Sequence, residues 1–141
     1  MNTEIFSQIN WWAILVASLA YFVLGALWYS KALFGGQWAK LLKIDTNNPD
    51  LRKGMGAMMF STFILILIVC FGLAVIIHMI KFGDDYLYGI KLGLLTGFAF
   101  ATTAVSINYV YERKPTNLYL ITNGYHIVGH VIAATILVLW R

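Results

Sequence analysis

The chain has 141 residues, of which 60% are hydrophobic and only 11% are charged, and its formal net charge is +4. Soluble domains carry about 25% charged residues, so this composition excludes an ordinary soluble protein and predicts an integral membrane protein. The basic residues lie mostly between the apolar stretches, where they report membrane topology, so the positive charge does not indicate nucleic-acid binding. The single cysteine, Cys70, excludes an internal disulfide.

Four long apolar stretches fill most of the chain and predict an all-α integral membrane protein with a single domain over residues 1–141. Each stretch reaches the roughly 20 residues that a helix needs to cross a ~30 Å hydrocarbon layer. We expect a four-transmembrane-helix bundle with a short interfacial helix in the first loop. In chain order the predicted helices are α1 at about 9–29, the interfacial α2 at about 31–43, α3 at about 49–80, α4 at about 85–110 and α5 at about 117–140.

The first loop and the turn residues indicate where these helices begin. Apolar residues of the first loop recur near helical spacing while its lysines fall on other faces, which favours a helix lying in the headgroup plane. Asn48 before Pro49 is typical of a helix start, so we expect α3 to begin there. The expected caps of the last two helices are Asp84 or Asp85 for α4 and Thr116 or Asn117 for α5.

The distribution of basic residues predicts the orientation of the chain in the membrane. The two loops that share one side hold seven of the ten basic residues: Lys31, Lys40, Lys43, Arg52, Lys53, Arg113 and Lys114. The positive-inside rule therefore predicts that both basic loops lie inside the cytoplasm and both termini outside it. The tryptophans expected to anchor the chain at the membrane interfaces are Trp11, Trp12, Trp28, Trp38 and Trp140.

A strip of small residues runs along α4. Its members, spaced by four, are Gly89, Gly93, Gly97 and Ala101. Such a strip lets another backbone approach closely, so we expect it to pack against a second helix. The possible partners are the corresponding face of α1, which carries Ala13, Ala17, Tyr21 and Gly25, and α4 of a second copy. Packing within one chain is the favoured alternative. Together with the small subunit, the strip favours a homo-oligomer, and a dimer over a trimer.

The densest polar cluster of the chain lies on α5, with Asn108 near the end of α4 as a further member. Its members on α5 are Asn123, Tyr125, His126 and His130. The two histidines are four residues apart and Asn123 precedes His126 by three, so these three side chains share one helix face.

Three roles are open to this cluster: a structural hydrogen-bond network between helices, a polar cavity for a small-molecule ligand or protons, or part of a metal site. The expected network partners are Thr102, Thr103, Ser106 and Asn108 of α4 and Asn10 and Ser18 of α1. Two histidines at this spacing can reach one metal ion, but zinc needs three or four ligands. His78 is displaced along the membrane normal by roughly two turns or more, so we predict no metal and no cofactor.

Three extended pieces of the sequence carry a family resemblance. They are NWWAILVASLAYFVLGALWYSKALFGGQW, SINYVYERKP and LYLITNGYHIVGHVIAATILVLW. Their recurring residues correspond here to Asn10-Trp11, Gly25, Trp28-Tyr29-Ser30, Phe34-Gly35, Trp38, Asn123, Tyr125-His126 and Trp140. In this order they resemble the bacterial membrane proteins grouped as domain of unknown function 1761, over essentially the whole chain. A proline that often follows the WYS piece is replaced by Lys31. The resemblance implies a small four-helix inner-membrane protein and brings no assigned activity.

Three functional hypotheses follow from these observations. We expect a non-enzymatic, oligomeric membrane protein with a structural or ligand-binding role, with the lipid bilayer as partner and without catalytic residues. The alternative is a small transporter or channel with a polar path along α5, lined by Asn123, Tyr125, His126 and His130. A membrane enzyme at the cytoplasmic face, near Trp38 and Glu112, is the third hypothesis, but the sequence offers no nucleophile and no credible base for it.

Overall fold

The computed structural model describes residues 7–80 and 83–141, and within these ranges it is helical and contains no strand. The helices are α1 at Trp11–Trp28, α2 at Gly35–Leu41, α3 at Met55–Ile80, α4 at Tyr86–Tyr111 and α5 at Thr116–Leu139. α1, α3, α4 and α5 have 18, 26, 26 and 24 residues and are long and apolar enough to cross a membrane. The predicted all-α fold class with four membrane-spanning helices is confirmed.

α5 lies at the centre of the bundle and contacts each of the other helices. Half of its apolar window is buried, against 28% for each of the other three spans. Small side chains are fully buried around it, among them Ala17 of α1, Cys70 of α3 and Ala133 of α5. Large outward side chains such as Phe60 and Leu120 are 67% and 70% exposed, as lipid-facing residues would be. Because lipid tails are as apolar as leucine, close packing holds such helices together.

The glycine strip of α4 packs against α5 of the same chain. A Cβ atom added at Gly89, Gly93 or Gly97 would collide with backbone atoms of α5, whereas Ala101 is partly exposed. The strip thus packs within one chain, as favoured, but its partner is α5, so α1 and α4 of a second copy are both wrong as the partner of this contact. Because the turn between α4 and α5 is short, these helices are antiparallel neighbours. The glycine strip of α4 therefore faces α5. The strip gives no argument for a dimer, and the homodimer stays a prediction.

α1 packs on α5 by matching large side chains on one helix with glycines on the other. The ring of Tyr21 occupies the space that a side chain at Gly129 would need, and Gly25 faces the ring of Tyr125. Tyr21 is only 2% exposed. This packing positions the Tyr21 hydroxyl against α5.

Polar contacts join the chain ends at one end of the bundle. Nδ2 of Asn10 donates to the carbonyl of Trp140 at 3.4 Å, and the guanidinium of Arg141 lies 2.9 Å from the carboxylate of Asp84. The start of α1, the end of α5 and the start of α4 are thus neighbours. The antiparallel order of the helices puts the two basic loops at the opposite end.

α3 begins at Met55, so the boundary expected near residue 49 is wrong. Asn48 does act as a cap and accepts from the amide of Asp50 at 2.9 Å, but the element that it caps is a short 3-10 turn, Pro49–Arg52. Gly54 then has a φ of 78°, a left-handed conformation that an α-helix cannot continue through. The membrane helix therefore starts after this glycine.

α2 is shorter than the expected 31–43 and begins at Gly35. A Cβ atom at Gly35 would collide with the carbonyl oxygens of Tyr29 and Ser30, so the chain folds back closely on the end of α1. The Trp38 ring packs edge-on against Tyr29, with ring centroids 5.4 Å apart. The close approach of the backbone at Gly35 to the end of α1 thus determines where α2 starts.

The caps of the last two helices differ from each other. Asp85 caps α4 and accepts from the amide of Leu87 at 3.0 Å, as one of the two predicted possibilities. Pro115 occupies the N-cap position of α5 and provides no side-chain bond, so the cap expected from Thr116 or Asn117 is wrong. Proline has the extended backbone that an N-cap needs, and this places it there without a side-chain acceptor.

The tryptophans fall into two groups. Trp11, Trp12 and Trp140 are 57%, 70% and 47% exposed at the end of the bundle where α1 begins and α5 ends. Trp28 and Trp38 are only partly exposed, and Nε1 of Trp28 donates to the carbonyl of Ile121 at 2.9 Å. Interfacial anchoring stays a prediction for all five, and the second group also contributes to helix packing.

Candidate intramembrane histidine site

The two histidines of α5 meet the hydroxyl of Tyr21 from α1. Oη of Tyr21 lies 3.1 Å from Nδ1 of His126 and 3.2 Å from Nδ1 of His130. His130 is 7% exposed, and its ring meets the Tyr21 ring edge-on with centroids 5.7 Å apart. Tyr21 therefore bridges the two imidazoles, and we call these three residues the Tyr–His cluster.

One backbone contact determines which ring nitrogen of His130 carries the hydrogen. Nδ1 of His130 lies 2.8 Å from the carbonyl oxygen of His126, which can only accept. Nδ1 of His130 must therefore carry the hydrogen, and in the neutral ring Nε2 is a lone-pair acceptor. The Tyr21 hydroxyl has two acceptors within reach on His126: Nδ1 at 3.1 Å and the carbonyl oxygen at 3.5 Å.

A cleft of about 260 Å³ reaches His130 from the side of the bundle. α3 and α4 both pack against α5 but hardly touch each other, which leaves this gap between them. Thr96 and Phe100 of α4 form one wall, and His130 of α5 lies between the walls. The α3 wall consists of Ile68, Val69, Gly72, Leu73 and Ile76. We call this space the α3–α4 cleft.

Nε2 of His130 makes no hydrogen bond to any residue within 7–80 and 83–141. His130 is 7% exposed as a whole and lines the cleft. Thr96, the other polar residue of the cleft, donates its hydroxyl hydrogen to the carbonyl of Leu92 at 2.8 Å. The cleft thus combines apolar walls with the ring of His130, whose Nε2 has no partner among the described residues.

A π turn in α4, Gly97–Ala101, lies beside the Tyr–His cluster. A Cβ atom at Gly97 would lie 3.3 Å from Cβ of His130 and 2.9 Å from Cα of Ile127. Phe100 belongs to this turn and lines the cleft. The wider turn changes which α4 side chains face α5, and single π turns of this kind are frequent at functional sites.

The other members of the predicted polar cluster lie away from the cleft lining. Nδ2 of Asn123 donates to Oγ of Ser106 at 2.9 Å, and its Oδ1 is buried without a partner among the described residues. Tyr125 is buried, and its ring centroid lies 5.3 Å from that of Tyr21. Asn108 is exposed on α4, so the structure does not bring it into the buried cluster.

The expected hydrogen-bond partners mostly bond elsewhere. Ser106 does contact Asn123, but Thr102, Thr103 and Ser18 each donate to a carbonyl of their own helix. The sequence pattern does not identify Tyr21 as the partner of the histidines. It places Tyr21 only on the small-residue face of α1. The signal that could have identified it is a buried tyrosine among small residues, because a buried hydroxyl usually has a hydrogen-bond partner.

The described ranges contain no group of three His, Cys, Asp or Glu side chains placed to hold a metal ion. His78 lies near the end of α3, where its ring nitrogens contact the carbonyls of Ala74 and Gln8 at 2.9 and 3.2 Å. It therefore does not join His126 and His130. The Tyr–His cluster thus consists of two imidazole rings and one phenol.

Comparison with known proteins identifies a family. No curated protein and no solved structure matches the chain. The model of one family, described as "Protein of unknown function (DUF1761)", matches residues 12–138. The matched range contains the Tyr–His cluster, the α3–α4 cleft and nearly all of the four spans. The chain belongs to this family of proteins of unknown function.

Proposed function

We propose that the chain is a non-enzymatic, ligand-binding protein of the membrane, and that it holds a lipid-soluble small molecule in the α3–α4 cleft against His130. The observation that carries this proposal is the free Nε2 of His130 in a cleft with otherwise apolar walls. Concave apolar sites with a few placed polar groups are the usual form of small-molecule sites.

A purely structural role explains His130 less well. Its Nδ1 already bonds to the carbonyl of His126 and contacts Tyr21, so the ring is oriented without any contact at Nε2. In the hydrocarbon layer no water is available, and a polar atom left unpaired there costs about 1–3 kcal/mol. A ligand that donates to Nε2 would remove this cost, which favours binding at this atom.

Binding also describes the cleft better than catalysis does. The polar side chains of the lining are one imidazole and one hydroxyl whose hydrogen is already donated to Leu92. Nucleophilic or acid–base catalysis requires a reactive group held against a second one, and the lining residues offer no such pair.

Gly72 allows the cleft to be filled without disturbing its surroundings. No atom lies within 4 Å of the position of a Cβ at Gly72, so Gly72→Leu adds a side chain to open space in the cleft. Gly56 on the same helix is equally open but does not line the cleft, which makes Gly56→Leu the matched control. Both changes also replace a helical glycine by a better helix former.

The test is mass spectrometry of the intact protein released from its native membrane. We expect the wild type and Gly56→Leu to retain the same small lipophilic molecule and Gly72→Leu to lose it. A wild type that carries no such molecule, or a Gly72→Leu variant that retains it, contradicts the proposal.

A second function, proton transfer, is favoured by the position of Tyr21 between two Nδ1 atoms. A proton taken up at Nε2 of His130 would let its Nδ1 hydrogen pass to Tyr21. The hydroxyl hydrogen of Tyr21 would move to Nδ1 of His126, and Nε2 of His126 would release a proton, so that one proton enters and one leaves. This relay corresponds to the predicted transporter or channel with a polar path along α5.

Proteoliposomes under a pH gradient test this second function. Tyr21→Phe removes the bridging hydroxyl and should abolish the proton flux of the wild type. Tyr119→Phe makes the same chemical change elsewhere on α5 and should leave the flux intact. Equal flux through the wild type and Tyr21→Phe would rule the relay out.

We further propose that the protein lies in a bacterial inner membrane with both termini outside the cytoplasm, and that it forms a homodimer. The two basic loops support the orientation, because the positive-inside rule applies to short loops of this kind. The small size of the subunit is what supports the dimer. Chemical cross-linking in native membranes should yield a dimer, and a product that stays monomeric under all conditions argues against it.

A further inference from the structure

We infer that the molecule bound in the α3–α4 cleft is a neutral, membrane-soluble compound with a hydroxyl group on an apolar body, by class a long-chain alcohol or phenol, and that it reaches His130 sideways from the bilayer. This inference rests on the binding function proposed above. It adds the chemistry of the ligand and its route.

The polar atoms of the cleft determine the chemistry of the ligand. Nδ1 of His130 donates to the carbonyl of His126 at 2.8 Å, which leaves Nε2 as an acceptor. Oγ1 of Thr96 donates its one hydrogen to the carbonyl of Leu92 at 2.8 Å, so toward a ligand this hydroxyl also only accepts. A ketone, quinone or ester finds no donor here, whereas a hydroxyl can donate to Nε2.

The walls exclude a charged donor. Apart from His130 and Thr96, the lining is apolar side chains and one glycine. An ammonium group in these surroundings would lose its hydration without gaining an opposite charge, which is strongly unfavourable in the hydrocarbon layer. A neutral donor such as a hydroxyl therefore fits.

The dimensions of the cleft indicate a lateral route. Its volume of about 260 Å³ is below the roughly 300–1,000 Å³ of sites for drug-sized molecules, so it holds the hydroxyl end of a ligand while the remainder stays in lipid. Ile68 and Phe100 on opposite walls are 61% and 67% exposed, so the mouth of the cleft faces the lipid side of the bundle. Gly72 widens this mouth because it lacks a side chain.

The experiment compares two probes on the full-length protein in liposomes: a long-chain alcohol carrying a diazirine, and its methyl ether. The ether has the same apolar body but cannot donate a hydrogen bond. We expect the alcohol to label residues of the α3–α4 cleft about tenfold more than the ether, as the loss of one such bond predicts. His130→Phe should reduce labelling by the alcohol to the level of the ether. Gly72→Leu should abolish labelling by both probes, and Gly56→Leu should change neither.

The outcomes separate this inference from the function on which it rests. Equal labelling by alcohol and ether, blocked by Gly72→Leu, overturns the hydroxyl class while the binding site stands. Labelling of the cleft that Gly72→Leu does not reduce overturns both. Should His130→Phe fail to fold, the comparison of the two probes on the wild type decides the question by itself.

Discussion

Tyr21 joins α1 to α5 through a hydroxyl that contacts two imidazole nitrogens. Its ring has a separate role, because it fills the space above Gly129. Hydrogen bonds between membrane helices stabilise by about 0.6 kcal/mol on average and by about 1.7 kcal/mol at most in measured cases. The hydroxyl can therefore be removed at a moderate cost while the packing of the ring is kept.

Tyr21→Phe should lower the free energy of unfolding by about 1 kcal/mol, because the two imidazoles lose the hydroxyl that bridges them. Reversible unfolding in lipid–detergent mixtures measures this difference. Tyr119→Phe serves as the control and should change the stability little. If Tyr21→Phe is as stable as the wild type, the bridge between the imidazoles does not contribute to folding.

At the scale of the helix, Gly35 fixes the position of α2 against the end of α1. The carbonyl oxygens of Tyr29 and Ser30 occupy the space of a Cβ at Gly35, whereas Gly36 beside it has no atom within 4 Å. The neighbouring glycines thus differ only in their surroundings, and they form a matched pair for substitution.

Gly35→Ala should displace α2, because its methyl group would collide with backbone that cannot move aside. We expect amide hydrogen exchange over Gly35–Leu41 to be at least tenfold faster than in the wild type, which corresponds to about 1.4 kcal/mol of lost local stability. Gly36→Ala should leave the exchange rates unchanged or slower. Similar rates in both variants would mean that the close approach at Gly35 does not hold α2.

The four spans could be predicted from sequence because lipid requires long apolar helices with all backbone groups paired internally. Which faces meet could not be predicted, since lipid is as apolar as the helix faces themselves. The α3 sequence is apolar on every side, so nothing in it marks Gly72 and its neighbours as a cleft wall. The start of α3 is different, because Gly54 is visible in the sequence as a residue that permits the left-handed turn.

The candidate site was predictable only in part. The spacing of His126 and His130 places them on one face of α5, and the structure has them on a common hydroxyl. The π turn at Gly97–Ala101 has no sequence signature, so the position of Phe100 beside His130 was not foreseeable. The contact of Tyr21 with the histidines could not be predicted, because it depends on how α1 packs on α5.

At the scale of the whole molecule, α5 connects the other helices, and the gap between α3 and α4 gives the bilayer access to it. The start of α1 and the end of α5 lie at one end of the bundle and the basic loops at the other. This arrangement makes the orientation testable at two positions on opposite ends. Cys70 is buried, so background labelling of the native thiol should be low.

Thr46→Cys in the first loop should be protected from a membrane-impermeant maleimide in intact cells, because basic loops stay in the cytoplasm. Asp84→Cys before α4 should react, since the side chain is 91% exposed at the other end. The exposed ion pair that this change removes contributes little to stability. The reverse pattern of labelling would show that the chain has the opposite orientation in the membrane.

The most direct test of the proposed binding site is the ¹⁵N NMR spectrum of the histidine rings in lipid bilayers. The contact of His130 with the carbonyl of His126 requires a hydrogen on Nδ1 of His130 and, in the neutral ring, a bare Nε2. Addition of a long-chain alcohol should then shift the Nε2 resonance of His130 and leave that of His78 unchanged. A hydrogen on Nε2 of His130, or an Nε2 resonance that the alcohol does not move, would contradict a free acceptor facing the membrane.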